Sequence, residues 1–359
     1  MTVSKIGFGA IAIAALFAAP TAFAQDDVVK LKDGKEQIGR IKTEDWKGLE
    51  ITVQKKPVTI AWDQVGSINY GSSAELSRAI DAIAADNLNE AVPLLEELKK
   101  DAKEREPIRQ QALYKLGVCY ERQGKAEDAV ANYRELLKTF PSGRFVLQAG
   151  ESLISMQIAK NDAAGAVTMI DEISKEAKAD PATQSLYGLL KGRALEAKGS
   201  PAEARTAYEA VSKTAGIAPS VEQESRLGVA RTLQAERKGP DAEAIYRKLT
   251  TEATSSRVLS GAWNGLGDLL AEDGKTKRDQ DKLLDALYCY LRGSVQYVPG
   301  KGENSVEYER AIGGSAKCFK FIADLEKNAD RKKLYTARAQ ERVEMLKRQF
   351  PTSRFLEGT

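Results

Sequence analysis

Six small residues stand in a nearly fixed register through the chain: Ala91, Ala129, Ala166, Ala204, Ala242 and Ala286, at spacings of 38, 37, 38, 38 and 44. Four residues after each comes a large side chain: Leu95, Tyr133, Ile170, Tyr208, Tyr246 and Tyr290. A period of this length marks a stack of one supersecondary unit. The best-preserved copy, residues 113–141, shows what that unit is. Leu113, Leu116, Gly117 and Tyr120 recur at helical spacing and share one face of a first helix. Gly124 interrupts the pattern, Lys125, Glu127 and Asp128 open a second helix, and Pro141 stops it. The apolar face of that helix is Ala129, Val130, Tyr133, Leu136 and Leu137. Small residues (Gly117, Ala129) facing large ones (Tyr120, Tyr133) allow close approach of the two helices. A single hairpin of this kind cannot bury both its faces, so the copies must stack.

The run LYKLGVCY at 113–120, with Ala129, Tyr133 and Pro141, resembles the tetratricopeptide repeat. The run WNGLGDLL at 263–270, with Ala286, Tyr290 and Pro299, resembles it again. The resemblance covers residues 74–299 and, more weakly, the C-terminal helices. It implies a mainly α protein: a solenoid of about six stacked helical hairpins. The family unit is about 34 residues, so the additional length is expected in the loops between hairpins. The segments FPSGRF at 140–145 and FPTSRF at 350–355 are similar to repeat ends of bacterial cell-envelope proteins of this family.

Local signals agree with that reading. Ser200-Pro201-Ala202-Glu203 has the form of a capping box with proline at the first helical position, and Pro240 opens the helix before Ala242. Pro93 falls just inside a second helix and is expected to loosen or kink it. Residues 273–285, almost all charged, read as a lengthened loop, and residues 298–306 as a glycine-containing linker. Beyond it, residues 307–325 and 331–350 read as two capping helices. In the last, Ala339, Val343, Leu346 and Phe350 form one face. Lys332, Lys333, Arg338, Arg342, Lys347 and Arg348 coat the other, as a solvated surface or as a dock for an acidic partner.

Residues 28–70 follow a different period. Leu49, Ile51 and Val53 alternate with polar residues, as do Val58 and Ile60, and Asp33-Gly34 signals a hairpin turn. Five short strands predict a small closed or partly closed barrel, since closure protects strand edges. The runs LKDGKEQIGRI and VTIAWDQVGSI resemble SH3-like or Sm-like barrels. Gly71-Ser72-Ser73 marks the boundary, which gives domains at 25–71, 74–299 and 300–359.

Residues 1–24 read as a signal peptide: Lys5, an uncharged run at 6–19, and the cleavage pattern Ala22-Phe23-Ala24. The chain is therefore expected to be exported, as a periplasmic protein without an integral membrane segment after cleavage. Cys119, Cys289 and Cys318 are too few and too irregular for a disulfide framework or a zinc site. They read as small buried side chains, with a Cys289–Cys318 bridge the alternative. A net charge of +3, mixed along the chain, gives no case for a nucleic-acid partner.

Histidine is absent, which removes His-based acid–base, nucleophile and metal chemistry. The glycine pairs lack the setting of a phosphate loop. Acidic pairs such as Glu96-Glu97 and Asp26-Asp27 read as solvated or disordered. No catalytic residue, cofactor or metal ligand is expected, and the chain reads as non-enzymatic. What a solenoid offers is a concave groove lined by its first helices. From the family resemblance, that groove would present Gln111, Tyr114, Glu121, Arg122, Glu151, Arg193, Glu196, Asn264 and Asp268. Tyr114 and Val118 occupy places where some family members carry a lysine/asparagine clamp for C-terminal carboxylates, so the resemblance does not carry that clamp over. The reading is a scaffold for other envelope proteins or peptides. In the alternative, the small barrel binds peptide or cell-wall glycan and the solenoid is a spacer.

Overall fold

A computed structural model describes residues 26–71, 73–177, 180–299 and 305–359. The leader at 1–24 lies outside them, as do Ser72 of the boundary and residues 300–304 of the linker. Five strands come first: β1 (Asp27–Leu31), β2 (Glu36–Glu44), β3 (Gly48–Val53), β4 (Lys56–Ala61) and β5 (Val65–Asn69). All pairings are antiparallel, in the order β4-β3-β2-β1-β5. The strands fall where the alternation placed them, but the expected barrel is an open sheet, with β4 and β5 left as edges. The reason is coverage. Val29, Ile41, Leu49, Ile51 and Ile60 share one core with Leu76, Ala79 and Leu95 of the first helices, so the apolar face is buried without closure.

Fourteen α-helices follow among the described residues. The first four are α1 (Ala74–Ala84), α2 (Leu88–Lys100), α3 (Glu106–Arg122) and α4 (Ala126–Thr139). Next come α5 (Val146–Ala159), α6 (Ala163–Ala177), α7 (Pro181–Lys198), α8 (Pro201–Ser212), α9 (Pro219–Ala235) and α10 (Gly239–Glu252). The last are α11 (Ser256–Lys277), α12 (Gln280–Gln296), α13 (Val306–Leu325) and α14 (Ala329–Gln349). Consecutive helices pack as hairpins, and the first helices also pack on one another, α5 on α7, α7 on α9, α9 on α11 and α11 on α13. The fold is an α-helical solenoid preceded by an antiparallel sheet.

The register of small and large residues has a direct physical basis. Tyr133, Tyr208, Tyr246 and Tyr290 are all buried. The Tyr133 ring lies on Gly117 of its own hairpin. Tyr208 is held between Gly192 of its own hairpin and Gly228 of the next, and Tyr290 between Gly267 and Gly314. The Tyr208 and Tyr290 rings thus fill seams where two hairpins meet, Tyr133 packs within its own, and glycine lets each ring approach the backbone. Three of the hydroxyls bond on the inner side: Tyr246 Oη donates to Gln234 at 2.9 Å, Tyr208 to Glu196 and Tyr290 to Asp268.

Several local expectations change. Much of the additional repeat length is helix: α3, α7, α9 and α11 run to 17, 18, 17 and 22 residues. The charged stretch 273–285 is not a loop, because α11 continues to Lys277 and α12 restarts at Gln280. Its charges stabilise that continuation: Asp273 pairs with Lys277 one turn on and with Lys282 across the turn. Ser200 and Pro201 open α8 as expected, but the Ser200 side chain makes no capping hydrogen bond. Pro93 is accommodated within α2, which runs on to Lys100. The three cysteines are free and buried, without the alternative bridge.

The sheet is fixed to the solenoid by buried charge. Asp27, read from sequence as solvated, is 1% exposed and accepts from both Arg105 terminal nitrogens, at 2.6 and 2.9 Å. It also accepts from the Ile41 amide at 2.8 Å. Glu44, equally buried, accepts from Tyr70 and faces Arg144 at 3.3 Å, while Arg144 stacks 4.1 Å from the Trp62 ring centroid. Asp45 bridges to Gly143, and the Trp46 amide donates to Ser142 O at 3.1 Å. A Cβ at Gly143 would collide with the Gln110 side chain, so glycine is required at this close approach.

Two consequences are measurable. Gly228→Ala places a Cβ 2.6 Å from the Tyr208 ring and should cost about 1–3 kcal/mol, seen as a lower urea midpoint. Arg105→Ala leaves the Asp27 carboxylate buried without its cation and should cost about 3–5 kcal/mol. Limited proteolysis should then cut first within residues 26–71. An unaltered cleavage pattern would mean that the ion pair does not hold the sheet.

Candidate functional site

The first helices build the inner face of the solenoid. Two cavities lie along it, of about 680 Å³ and 780 Å³. They share Glu151, Ser155, Arg193, Glu224 and Arg257 as a common wall. One runs on towards Glu196, Arg231, Glu307 and Arg310, and the other towards Tyr114, Phe145, Leu147 and Met156.

The wall is an ionic network reaching from α5 to α13. Arg193 of α7 pairs with Glu151 of α5 and, at 3.1 Å, with Glu224 of α9. Arg257 of α11 pairs with Glu224 at 2.9 Å and with Glu151 at 3.2 Å. Arg231 of α9 bonds Glu196 of α7 at 2.9 Å and lies 3.8 Å from Glu307 of α13. Arg310 of α13 pairs with Glu307 at 3.4 Å and with Asp268 of α11. Four arginines thus meet five carboxylates, and their charges nearly cancel inside a poorly solvated cleft. Partly buried ions need this degree of pairing to offset their lost hydration.

The electrostatics follow from the packing. Burial alone would raise the Glu224 carboxyl, but Arg257 and Arg193 beside it hold it down to about 2. Glu196 is likewise lowered: burial opposes ionisation, and Arg231 overrides it. Burial and the neighbouring Arg257 lower Arg193 to about 10, which leaves it charged at neutral pH.

The residues expected in the groove divide into three sets. Tyr114, Glu121, Glu151, Arg193 and Glu196 line the two cavities, with Tyr114 stacked on Phe145 at 4.4 Å between centroids. The partly exposed Asp268 and the buried Asn264 act instead as ties between helices. Asp268 holds Arg310 and Tyr290, and the buried Asn264 donates to the Glu307 carbonyl at 2.8 Å and its carboxylate at 3.0 Å. Gln111 and Arg122 are elsewhere. Gln111 is buried against the sheet, donating to Tyr70 Oη at 3.1 Å, because α3 carries the sheet on this side. Arg122 sits at the hairpin end, bonded to Ile83 O at 3.3 Å and 3.7 Å from Asp86. Sequence reasoning missed Glu224, Arg231, Arg257, Glu307 and Arg310. One signal was available, since Arg193 and Arg231 stand one period apart. Among the described residues, no three His, Cys, Asp or Glu side chains converge to hold a metal ion. No described helix is long and apolar enough to cross a membrane.

The lowered Glu224 carboxyl sets a sign for acid stability. Its folded value lies below the ordinary 4.5. Its contribution is therefore complete above that value and is lost as pH falls from 4.5 towards 2. Between pH 6 and pH 3 wild type should lose about 2 kcal/mol of stability relative to Glu224→Gln. Urea midpoints of both proteins at pH 6 and pH 3 measure the difference, and groups common to both, such as the buried Glu44, cancel.

Residues 111–143 match the family described as the tetratricopeptide repeat. No curated protein matches the chain. Among solved structures, it is similar to a tetratricopeptide repeat protein from Parabacteroides merdae, at 16% identity over 74% of this chain and 97% of that one, with a TM-score of 0.43. It is also similar to PilF of Pseudomonas aeruginosa, at 18% identity over 69% and 95% of the two chains, with a TM-score of 0.39. PilW, a type IV pilus biogenesis factor, matches at 14% identity over 80% and 98%, with a TM-score of 0.35. At TM-scores this low, these likenesses carry no inference about partner or pathway. The matched segment spans most of α3, all of α4 and the turn beyond it, and includes the contact of Tyr133 with Gly117. On that match and that geometry, residues 111–143 are a tetratricopeptide repeat within a solenoid of similar hairpins.

Proposed function

We propose that this protein is an exported, non-enzymatic scaffold whose concave groove holds a segment of another envelope protein. In this reading residues 1–24 are a cleaved leader, residues 25–71 an accessory sheet, residues 74–299 the repeats and residues 300–359 the capping helices. One observation carries it. The groove's charges are spent on one another, yet apolar and neutral polar side chains remain open along its walls. Ile158 is 42% exposed, and Tyr114, Leu147 and Met156 are only partly covered beside the exposed Gln148 and Ser155. Partly exposed apolar groups on a concave face are what a protein segment needs for burial. The self-paired network favours a partner without strong net charge, because an ionic ligand would have to displace pairs already made.

A photo-crosslinking amino acid at Ser155, inside the groove, should capture one defined envelope protein. The same amino acid at Arg134, on the exposed side of α4 where it pairs with Glu172, should not. Equal capture from both positions would move binding away from the groove.

A further inference from the structure

The ionic wall contains one link that differs in kind from the rest. Most pairs join first helices of neighbouring hairpins, or of the next but one. Arg257, on α11, reaches Glu151, on α5, with α7 and α9 lying between them in the stack. Packed helices lie about 8–10 Å apart, so in a straight stack three such steps would exceed the reach of any two side chains. The 3.2 Å contact therefore exists only because the inner face curves tightly enough to bring the third and sixth hairpins together. The two side chains are 24% and 18% exposed, so water screens the pair only in part. They also sit in the wall shared by the two cavities.

We infer that Glu151 and Arg257 form a clasp across the concave face, which fixes the curvature of the solenoid and divides its groove into two chambers. The surrounding pairs make the clasp reversible. When it opens, Arg257 keeps Glu224 and Glu151 keeps Arg193, so neither ion is stranded. Opening costs one link of the network rather than a buried charge without a partner, the far more expensive event. The open form joins the two chambers into one groove along the first helices. This inference concerns the chain alone and does not depend on the groove binding a partner.

The test is a distance. Nitroxide labels on Gln148→Cys in α5 and Ser256→Cys in α11 occupy exposed positions outside the clasp. The parent chain, whose three cysteines are buried, serves as the labelling control. Double electron–electron resonance should give a single narrow distance in the doubly labelled protein. Adding Arg257→Gln or Glu151→Gln should lengthen it and broaden its distribution beyond the original width. Adding Arg134→Gln, which removes a pair between the outer helices α4 and α6, should leave it unchanged. An unchanged distance in both clasp variants, with helical content retained, overturns the inference. If both variants fail to fold, the clasped protein still decides, because a broad distribution there means that no clasp holds. Failure of the photo-crosslinking experiment would leave this distance unaffected, so the two ideas fail separately.

Discussion

The tertiary structure depends on an aromatic ring lying against a glycine. Tyr133, Tyr208, Tyr246 and Tyr290 occupy seams between helices, and each seam is as narrow as the absence of a Cβ permits. Stacking buries the two faces that a lone hairpin would expose, so the apolar gain is shared between neighbours along the whole chain. The ring also orients the inner face. Its hydroxyl reaches Glu196, Gln234 or Asp268 on the first helix, which holds that side chain at the groove wall. Packing and site geometry thus come from the same residue.

The groove wall is the second level of organisation. Four arginines and five carboxylates share a cleft that their pairing makes nearly neutral. Pairing stabilises the charged state of the buried carboxylates, as the lowered Glu224 and Glu196 show, while burial and Arg257 act the other way on Arg193. A network of this kind ties several hairpins together, and apolar side chains stay partly exposed beside its pairs.

The N-terminal sheet belongs to the same mechanical unit. Asp27–Arg105 and Glu44–Arg144 bury charge between sheet and helices, and the strand bridge from Asp45 to Gly143 adds a backbone link. A freely swinging module would expose these groups to water instead. The sheet is open because the first hairpins cover the face that barrel closure would otherwise have buried.

The sequence by itself determined the repeat, its period, the helical hairpin and the five strands, since each rests on a local pattern of small, large and alternating residues. It also marked Tyr114, Glu121, Glu151, Arg193 and Glu196, which do meet on the inner face. It misplaced Gln111, because nothing local to α3 tells which side the sheet will cover. It read Asp27 as solvated for the same reason, since its partner Arg105 lies far along the chain. Only the tertiary structure decided the clasp between Glu151 and Arg257. That contact depends on curvature accumulated over three helix-to-helix steps, and small rotations at each seam are not written in any single repeat.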